Sequence, residues 1–239
     1  AGHCPSWFPP AQHKGQPGTD RAPADQQAGR RVKCTAVVAG IRGDLKQAML
    51  DASRPHTLRI QGPNCVGLML PRIGLNASFS PKPLAGDIAF LSQSGALITG
   101  IIDWAHGRNI GFSHVVSLGD MADVDAGDWL DLLAGDPTTR AIVMYLESIP
   151  EPRKFMSAAR AAARIKPVIA IKSGRHEEAA KAASTHTGAL SGTDRVVDAA
   201  LRRAGILRVD GLGELFEAAE ITARFAPLDR ARIGIVTNG

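Results

Sequence analysis

The sequence has few cysteines and few aromatic residues. Among 239 residues there are three cysteines, and aromatic side chains make up 5%. Cys4, Cys34 and Cys65 are too few and too far apart for a disulfide framework or a C-x-x-C metal site, so we predict a reduced, cytoplasmic setting and no metal centre on this chain. The shortage of aromatic residues argues against a surface that stacks nucleic-acid bases.

Long apolar runs and dense basic clusters are also missing. No run approaches the roughly 18 residues that a membrane helix needs, and the N-terminus lacks the basic-then-apolar pattern of a secretory signal. The formal net charge is +5, but the basic residues are dispersed apart from pairs such as Arg30-Arg31 and Arg202-Arg203. A diffuse excess of arginine is weak evidence for nucleic-acid binding. We therefore expect a soluble protein that binds neither membranes nor nucleic acid.

Residues 1–33 differ in character from the rest of the chain. They combine five prolines with Gln, Gly and charged residues, and they show neither a helical nor a strand period. Such a segment cannot bury enough apolar surface to offset the entropy lost on ordering. We expect it to be largely disordered, or to be a cloning or reading-frame artefact.

From Cys34 onward, apolar runs alternate with amphipathic segments. Runs typical of buried strands, such as DIAFLS (87–92), AIVMYL (141–146) and VIAIK (168–172), are separated by helical patterns. This alternation predicts parallel strands joined by right-handed helical crossovers, and hence a doubly wound α/β sheet. The last run, RIGIVTNG (232–239), is predicted to form one more strand.

Four polar segments follow predicted strands: SQSG (92–95), Glu147, KSG (172–174) and the run KAASTHTGALSG (181–192) around His186. In a doubly wound sheet the carboxyl ends of the strands meet at one edge, so these segments can converge there. SQSG is consistent with an anion site at a helix N-terminus, with Gly95 leaving room for close approach, or with a plain N-cap through Ser94. Glu147 either orients an imidazole or is a surface carboxylate.

His186 has several possible roles on sequence grounds alone. It can be a general base, a nucleophile, a metal ligand or a satisfied loop histidine, and no second His or Cys lies at metal-ligand spacing. A serine hydrolase using Ser94 and His186 lacks the G-x-S-x-G motif. GPNC (62–65) offers an amide and a thiol, or is a structural turn with a buried cysteine. The acidic residues between 120 and 128 miss the EF-hand pattern and predict a solvated loop.

Taken in order, the motifs resemble one family. The segments GPNCVGL, SQSGAL, SLGDMADVD, YLES, IKSGR and ASTHTGALSG are similar to those of ADP-forming (NDP-forming) acyl-CoA synthetases, relatives of the succinyl-CoA synthetase α subunit. The resemblance runs from about residue 34 to the C-terminus. Within it, GLNASF, SLGDMADVD and FMSAARAAAR are most similar to bacterial members fused to a GNAT acetyltransferase domain.

The resemblance implies a domain organisation. A flavodoxin-like CoA-ligase domain is expected over 80–226, preceded by a remnant of a Rossmann-like CoA-binding domain over 34–79. Residues 227–239 would begin a further, truncated domain. The implied reaction converts acyl-CoA, ADP and phosphate into carboxylate, CoA and ATP through a phosphohistidine. CoA is then a substrate, and ADP or ATP with Mg would bind an ATP-grasp domain or subunit missing from this chain.

The resemblance also implies residue roles. His186 would be the phosphorylated nucleophile, Glu147 would hold its imidazole, and Ser94 and Gly95 would cradle the phosphoryl group. Asn64 and Cys65 would lie beside the thiol end of CoA. The full-length protein is expected to be an oligomer. Two alternatives remain: a non-catalytic region that senses CoA or acyl-CoA in a protein lysine acetyltransferase, and a non-functional truncated product.

Overall fold

The computed structural model describes residues 33–37, 40–173, 194–225, 232 and 234–237. The strands are β1 (Lys33–Ala36), β2 (Leu58–Gln61), β3 (Gly67–Leu70), β4 (Leu75–Ser78), β5 (Ala85–Ser92), β6 (Phe112–Ser117), β7 (Ala141–Leu146), β8 (Val168–Lys172) and β9 (Leu207–Arg208). The α-helices are α1 (Gly43–Ser53), α2 (Gly95–His106), α3 (Ala126–Gly135), α4 (Pro152–Ala163), α5 (Asp194–Ala204) and α6 (Leu212–Arg224). Residues 1–32, which make up nearly all of the segment expected to be disordered or artefactual, lie outside the described residues.

The main sheet has seven strands in the order β4-β3-β6-β5-β7-β8-β9. Strands β6, β5, β7, β8 and β9 pair in parallel, which is the flavodoxin-like order 2-1-3-4-5. The predicted doubly wound sheet is therefore confirmed. Strands β1 and β2 form a separate two-stranded parallel sheet. The strand predicted at the C-terminus does not form in the described part of that run, because residues 234–237 are irregular.

One edge of the main sheet is antiparallel, which the sequence patterns do not predict. Strand β3 pairs antiparallel with both β6 and β4. The hairpin closes tightly: a Cβ on Gly67, whose φ is +113°, would lie 2.0 Å from Ala77 O. Buried Leu68 and Met69 attach the hairpin to the core. The strand pairing thus crosses the domain boundary predicted near residue 79.

Helices cover both faces of the parallel strands. On one face α3, α4 and α5 bury Trp129, Phe155 and Leu201 against Leu91 of β5. On the other, α2 and α6 bury residues such as Ile98, Ile101 and Leu215 against Phe90. Neighbouring residues of β5 therefore serve opposite layers, as expected for a central strand whose side chains alternate. Among the described residues, no helix is both long and apolar enough to cross a bilayer.

Polar contacts join the small sheet to the main one. Gln61, which is fully buried, donates through Nε2 to Ser117 O at 2.7 Å and accepts from Trp129 Nε1 at 2.9 Å. Arg59 Nε donates to the Asp123 carboxylate at 3.0 Å. Because these bonds reach from β2 to β6, to α3 and to the loop before α3, they fix the turn after β2 against the end of β6.

The acidic segment before α3 is structural. Asp125 is 6% exposed and caps α3, accepting from Gly127 N at 2.8 Å, while the Asp128 carboxylate accepts from Asp125 N at 3.0 Å. Lys154 Nζ donates to Asp128 at 2.6 Å. The expectation of a solvated acidic loop is wrong for Asp125 and Asp128, because their carboxylates accept hydrogen bonds from N–H groups and from Lys154 at a helix start. Asp120 is exposed, as expected.

Candidate functional site

A cavity of about 880 Å³ opens at the carboxyl-end edge of the main sheet. Five of the six site residues predicted from the sequence line it: Asn64, Cys65, Ser94, Gly95 and Glu147. Strand β5 lies between β6 and β7, so the strand order reverses there, and such a switch point is where doubly wound sheets bind ligands. The sixth residue, His186, lies outside the described residues, as does Gly174 of the KSG segment.

Side-chain hydrogen bonds hold the SQSG turn between β5 and α2. Ser92 Oγ accepts from Ser94 N at 3.0 Å and donates to Ser94 O at 2.9 Å. Ser94 is the N-cap of α2, and its Oγ accepts from Leu97 N at 3.4 Å. The N-cap interpretation of this serine is confirmed.

The first turn of α2 also leaves donors open toward the cavity. The N–H groups of Gly95 and Ala96 have no acceptor within the helix because they belong to its first turn, and among the described residues none is supplied from elsewhere. Both residues line the cavity. A Cβ on Gly95 would lie 2.4 Å from Val66 Cγ2, so this glycine makes room for a protein side chain. An anion bound here would rely on the N–H groups and the helix dipole.

Glu147 follows β7 directly and is half-buried in the cavity wall. Its backbone N–H donates to Gln93 Oε1 at 2.6 Å. Burial raises the pKa of the nearby Tyr145 phenol, and the negative charge of Glu147 adds to that shift. The carboxylate thus lies where the ends of β5 and β7 meet.

The end of β8 reaches the same edge of the sheet but is not part of the cavity wall. Lys172 Nζ donates to Ser173 O at 2.6 Å, and neither residue is among those lining the cavity. Burial lowers the pKa of Lys172, and the charge of Arg208 lowers it further.

The GPNC segment forms a turn seated on the loop after β6. Asp120 N donates to Pro63 O at 2.9 Å, and Asn64 Nδ2 donates to Asp120 Oδ1 at 3.3 Å. Gly119, with φ +59°, permits this approach: a Cβ there would lie 2.1 Å from Pro63 O. Asn64 itself is exposed, with its side chain at the cavity rim.

Cys65 is buried beneath the turn. Its Sγ donates to Val37 O at 3.4 Å and to Gln61 O at 3.6 Å, and 3% of the residue is exposed. Burial raises the pKa of the thiol, which keeps it protonated. The interpretation of GPNC as a structural turn with a buried cysteine is confirmed.

Other lining residues were not singled out from the sequence. Gln93 and Gly119 lie inside the SQSG and SLGD motifs, so the motifs themselves marked the right segments. Lys46 of α1 had no sequence signal, and Phe79, which is 79% exposed, ends the GLNASF segment that the sequence marked only for its family resemblance. Within the described ranges, no group of three or more His, Cys, Asp or Glu side chains is placed to hold a metal ion.

Comparison with known proteins identifies the domain. Residues 85–222 match the family described as the succinyl-CoA ligase like flavodoxin domain. The chain is 40% identical over 202 residues to acetate–CoA ligase (ADP-forming) I of Archaeoglobus fulgidus, covering 84% of this chain and 29% of that protein. It is 38% identical over 216 residues to acetate–CoA ligase (ADP-forming) I subunit alpha of Pyrococcus furiosus, covering 87% and 47%.

A solved structure agrees with this match. The dinucleotide forming acetyl-coenzyme A synthetase 1 of Ca. Korarchaeum cryptofilum, in complex with phosphate and ADP, superposes with a TM-score of 0.76 and 35% identity. The match covers 80% of this chain and 43% of that one. The chain therefore spans less than half the length of these relatives. With the family match and the shared fold, it belongs to the ADP-forming acyl-CoA synthetase family and contains the succinyl-CoA ligase like flavodoxin domain.

Proposed function

We propose that this chain is the CoA-ligase part of an ADP-forming acyl-CoA synthetase. The reaction is acyl-CoA with ADP and phosphate giving carboxylate, CoA and ATP. The observation that carries the proposal is the cavity at the switch point, which combines the open N–H groups of α2, the Glu147 carboxylate and the GPNC turn. Names of relatives, such as acetate–CoA ligase (ADP-forming), support the same reaction class.

The proposed chemistry has two steps on this chain. A phosphate oxygen attacks the thioester carbonyl, the C–S bond breaks, and CoA leaves as the thiol, giving an acyl phosphate. A ring nitrogen of His186 then attacks phosphorus, the P–O bond to the acyl group breaks, and the carboxylate leaves. Neutral imidazole is nucleophilic near pH 7, which suits it to this second step.

Each residue of the cavity has a proposed role. The N–H groups of Gly95 and Ala96 and the hydroxyl of Ser94 would stabilise charge on the transferring phosphoryl group. Glu147 would fix the tautomer of His186 by accepting its N–H. Asn64 and Cys65 would lie by the thiol end of CoA; since the thiol is buried and protonated, Cys65 would shape that wall without acting as a nucleophile.

The remaining components belong to the larger protein. We propose that phosphohistidine passes its phosphoryl group to ADP held with Mg on an ATP-grasp domain or subunit, within an oligomer. The relative from Pyrococcus furiosus is named as an alpha subunit, which supports a partner of this kind. A free thiol at Cys65 suits a reducing cytoplasm.

The test is phosphorylation of the chain itself. Acetyl-CoA and radiolabelled phosphate are added, and acid-labile, base-stable label on the protein is measured alongside release of CoA thiol. We expect label on the wild type, none on His186→Ala, and unchanged labelling of His106→Ala, whose imidazole is exposed at the far end of α2. Equal label on His186→Ala, or no label on the wild type, contradicts the proposal.

An acetyltransferase fusion that senses acyl-CoA is the second candidate. It is favoured by the segments GLNASF, SLGDMADVD and FMSAARAAAR. Calorimetry separates the two: acetyl-CoA binding with neither label nor thiol release supports sensing, whereas binding with turnover supports the ligase.

A further inference from the structure

Gln93 connects the SQSG turn to the segment after β7 that carries Glu147. Its Oε1 accepts from Glu147 N at 2.6 Å and from Ser148 N at 2.9 Å, and its Nε2 donates to Ser148 Oγ at 3.1 Å. Backbone N–H groups can only donate, so the two of them fix which end of the amide is the oxygen. The side chain is therefore bound at both ends in one orientation.

These hydrogen bonds take the place of inter-strand hydrogen bonds beyond the end of β7. The strand ends at Leu146, and the next two N–H groups would otherwise need water or another acceptor. Gln93 is itself tied to β7, because its backbone N donates to Tyr145 O at 3.1 Å. Thus one residue of the SQSG turn holds the backbone on both sides of the Glu147 peptide.

The geometry points to Gln93 as a positioning residue for Glu147, an inference that rests on the proposed phosphoryl transfer. By anchoring the backbone of Glu147 to the turn that caps α2, Gln93 sets the distance between the carboxylate and the open N–H groups of the helix. Group transfer depends steeply on such distances, since a misplacement of about 1 Å can cost about 100-fold in rate.

The variants separate the amide oxygen from the rest of the side chain. Gln93→Met keeps a similar length but removes the acceptor, whereas Gln93→Glu retains an oxygen for both N–H groups. Gln47→Met is the matched control, because Gln47 is exposed on α1 and its hydrogen bond among the described residues is a local one to Asp51. All three are assayed with acetyl-CoA and radiolabelled phosphate, and hydrogen exchange is measured at residues 147 and 148.

We expect Gln93→Met to lower the maximal rate constant of labelling about 100-fold, with the phosphate concentration that gives half of that rate changed less than about threefold, and to speed hydrogen exchange at 147 and 148. Gln93→Glu should stay within about tenfold of wild type. In a Glu147→Gln background, Gln93→Met should cause little further loss, because residues that act together are not additive.

Two results overturn the inference while leaving the proposed function standing. One is a Gln93→Met enzyme labelled as fast as wild type; the other is a full additional loss in the Glu147→Gln background, which would mean a general structural role. An unlabelled wild type refutes the proposed function instead, and the exchange measurement still reports whether Gln93 anchors these N–H groups.

Discussion

Replacing Gly119 by alanine tests how the GPNC turn is seated. The residue has φ +59°, a conformation that costs an L residue about 1–2 kcal/mol. A new Cβ would lie 2.1 Å from Pro63 O and 2.8 Å from Asn64 O, so the turn must shift. Overpacking of this kind costs about 1–3 kcal/mol. Together the two effects predict a loss of about 2–5 kcal/mol in the free energy of unfolding.

Two other glycines separate the conformational cost of a positive φ from the steric cost of the clash. Gly74 has φ +71° and nothing within 4 Å of the position that a Cβ would take, so Gly74→Ala should lose only the conformational part. Gly100, exposed in α2 with open space and no positive φ, should gain about 0.5–1 kcal/mol as alanine. Thermal and urea unfolding followed by circular dichroism measure all three, and Gly119→Ala should lower Tm by about 4–20 °C. A Gly119→Ala loss no larger than that of Gly74→Ala would refute the clash.

Two further predictions concern stability. Burial holds the pKa of His114 below its ordinary value; the charge of Asp136 opposes this shift and the charge of Lys166 adds to it. The unfolded chain therefore binds a proton more readily, so stability should be full above about pH 6.5 and fall as the pH drops below it. In urea titrations repeated at several pH values, His114→Asn should make the free energy of unfolding fall less steeply with decreasing pH. An unchanged pH dependence would contradict the assignment of this decline to His114. Asp125→Ala removes two hydrogen bonds at the start of α3 and should lower the free energy of unfolding by about 1–2 kcal/mol, whereas Asp44→Ala, without a cap bond, should stay within about 0.5 kcal/mol.

The parallel strands could be predicted because their own residues carry the signal. Runs such as AIVMYL are apolar throughout, which fits a strand covered by helices on both faces. Strand β3 has only four residues, GLML, and its pairing depends on contacts with β6 that are distant in sequence. A four-residue apolar run does not distinguish a buried strand from other buried segments, so the antiparallel edge could not be predicted.

The location of the site was predictable for a topological reason. SQSG and Glu147 come to one cavity because β5 and β7 run in parallel and end at one edge of the main sheet. GPNC follows β2 of the separate small sheet and reaches the cavity by packing on the loop after β6, which the strand pattern does not predict. The contacts inside the site were not predictable. Whether Gln93 reaches the N–H groups of Glu147 and Ser148 depends on its rotamer and on the spacing of two neighbouring strands, and a local sequence pattern encodes neither.

Gly95 of the SQSG motif and Gly119 of the SLGD motif make room for protein atoms. A glycine at a helix start suggests space for an anion, yet the space over Gly95 is filled by Val66, and the space over Gly119 by Pro63 and Asn64. Both therefore admit the segment from GPNC to Val66 against the sheet edge. Two kinds of contact hold the cavity wall together. The segment from GPNC to Val66 packs against Gly95 and Gly119, where a Cβ would clash with it, and the Gln93 amide accepts a hydrogen bond from Glu147 N. The proposed anion binding at α2 would then depend on the N–H groups of Gly95 and Ala96, which have no acceptor among the described residues.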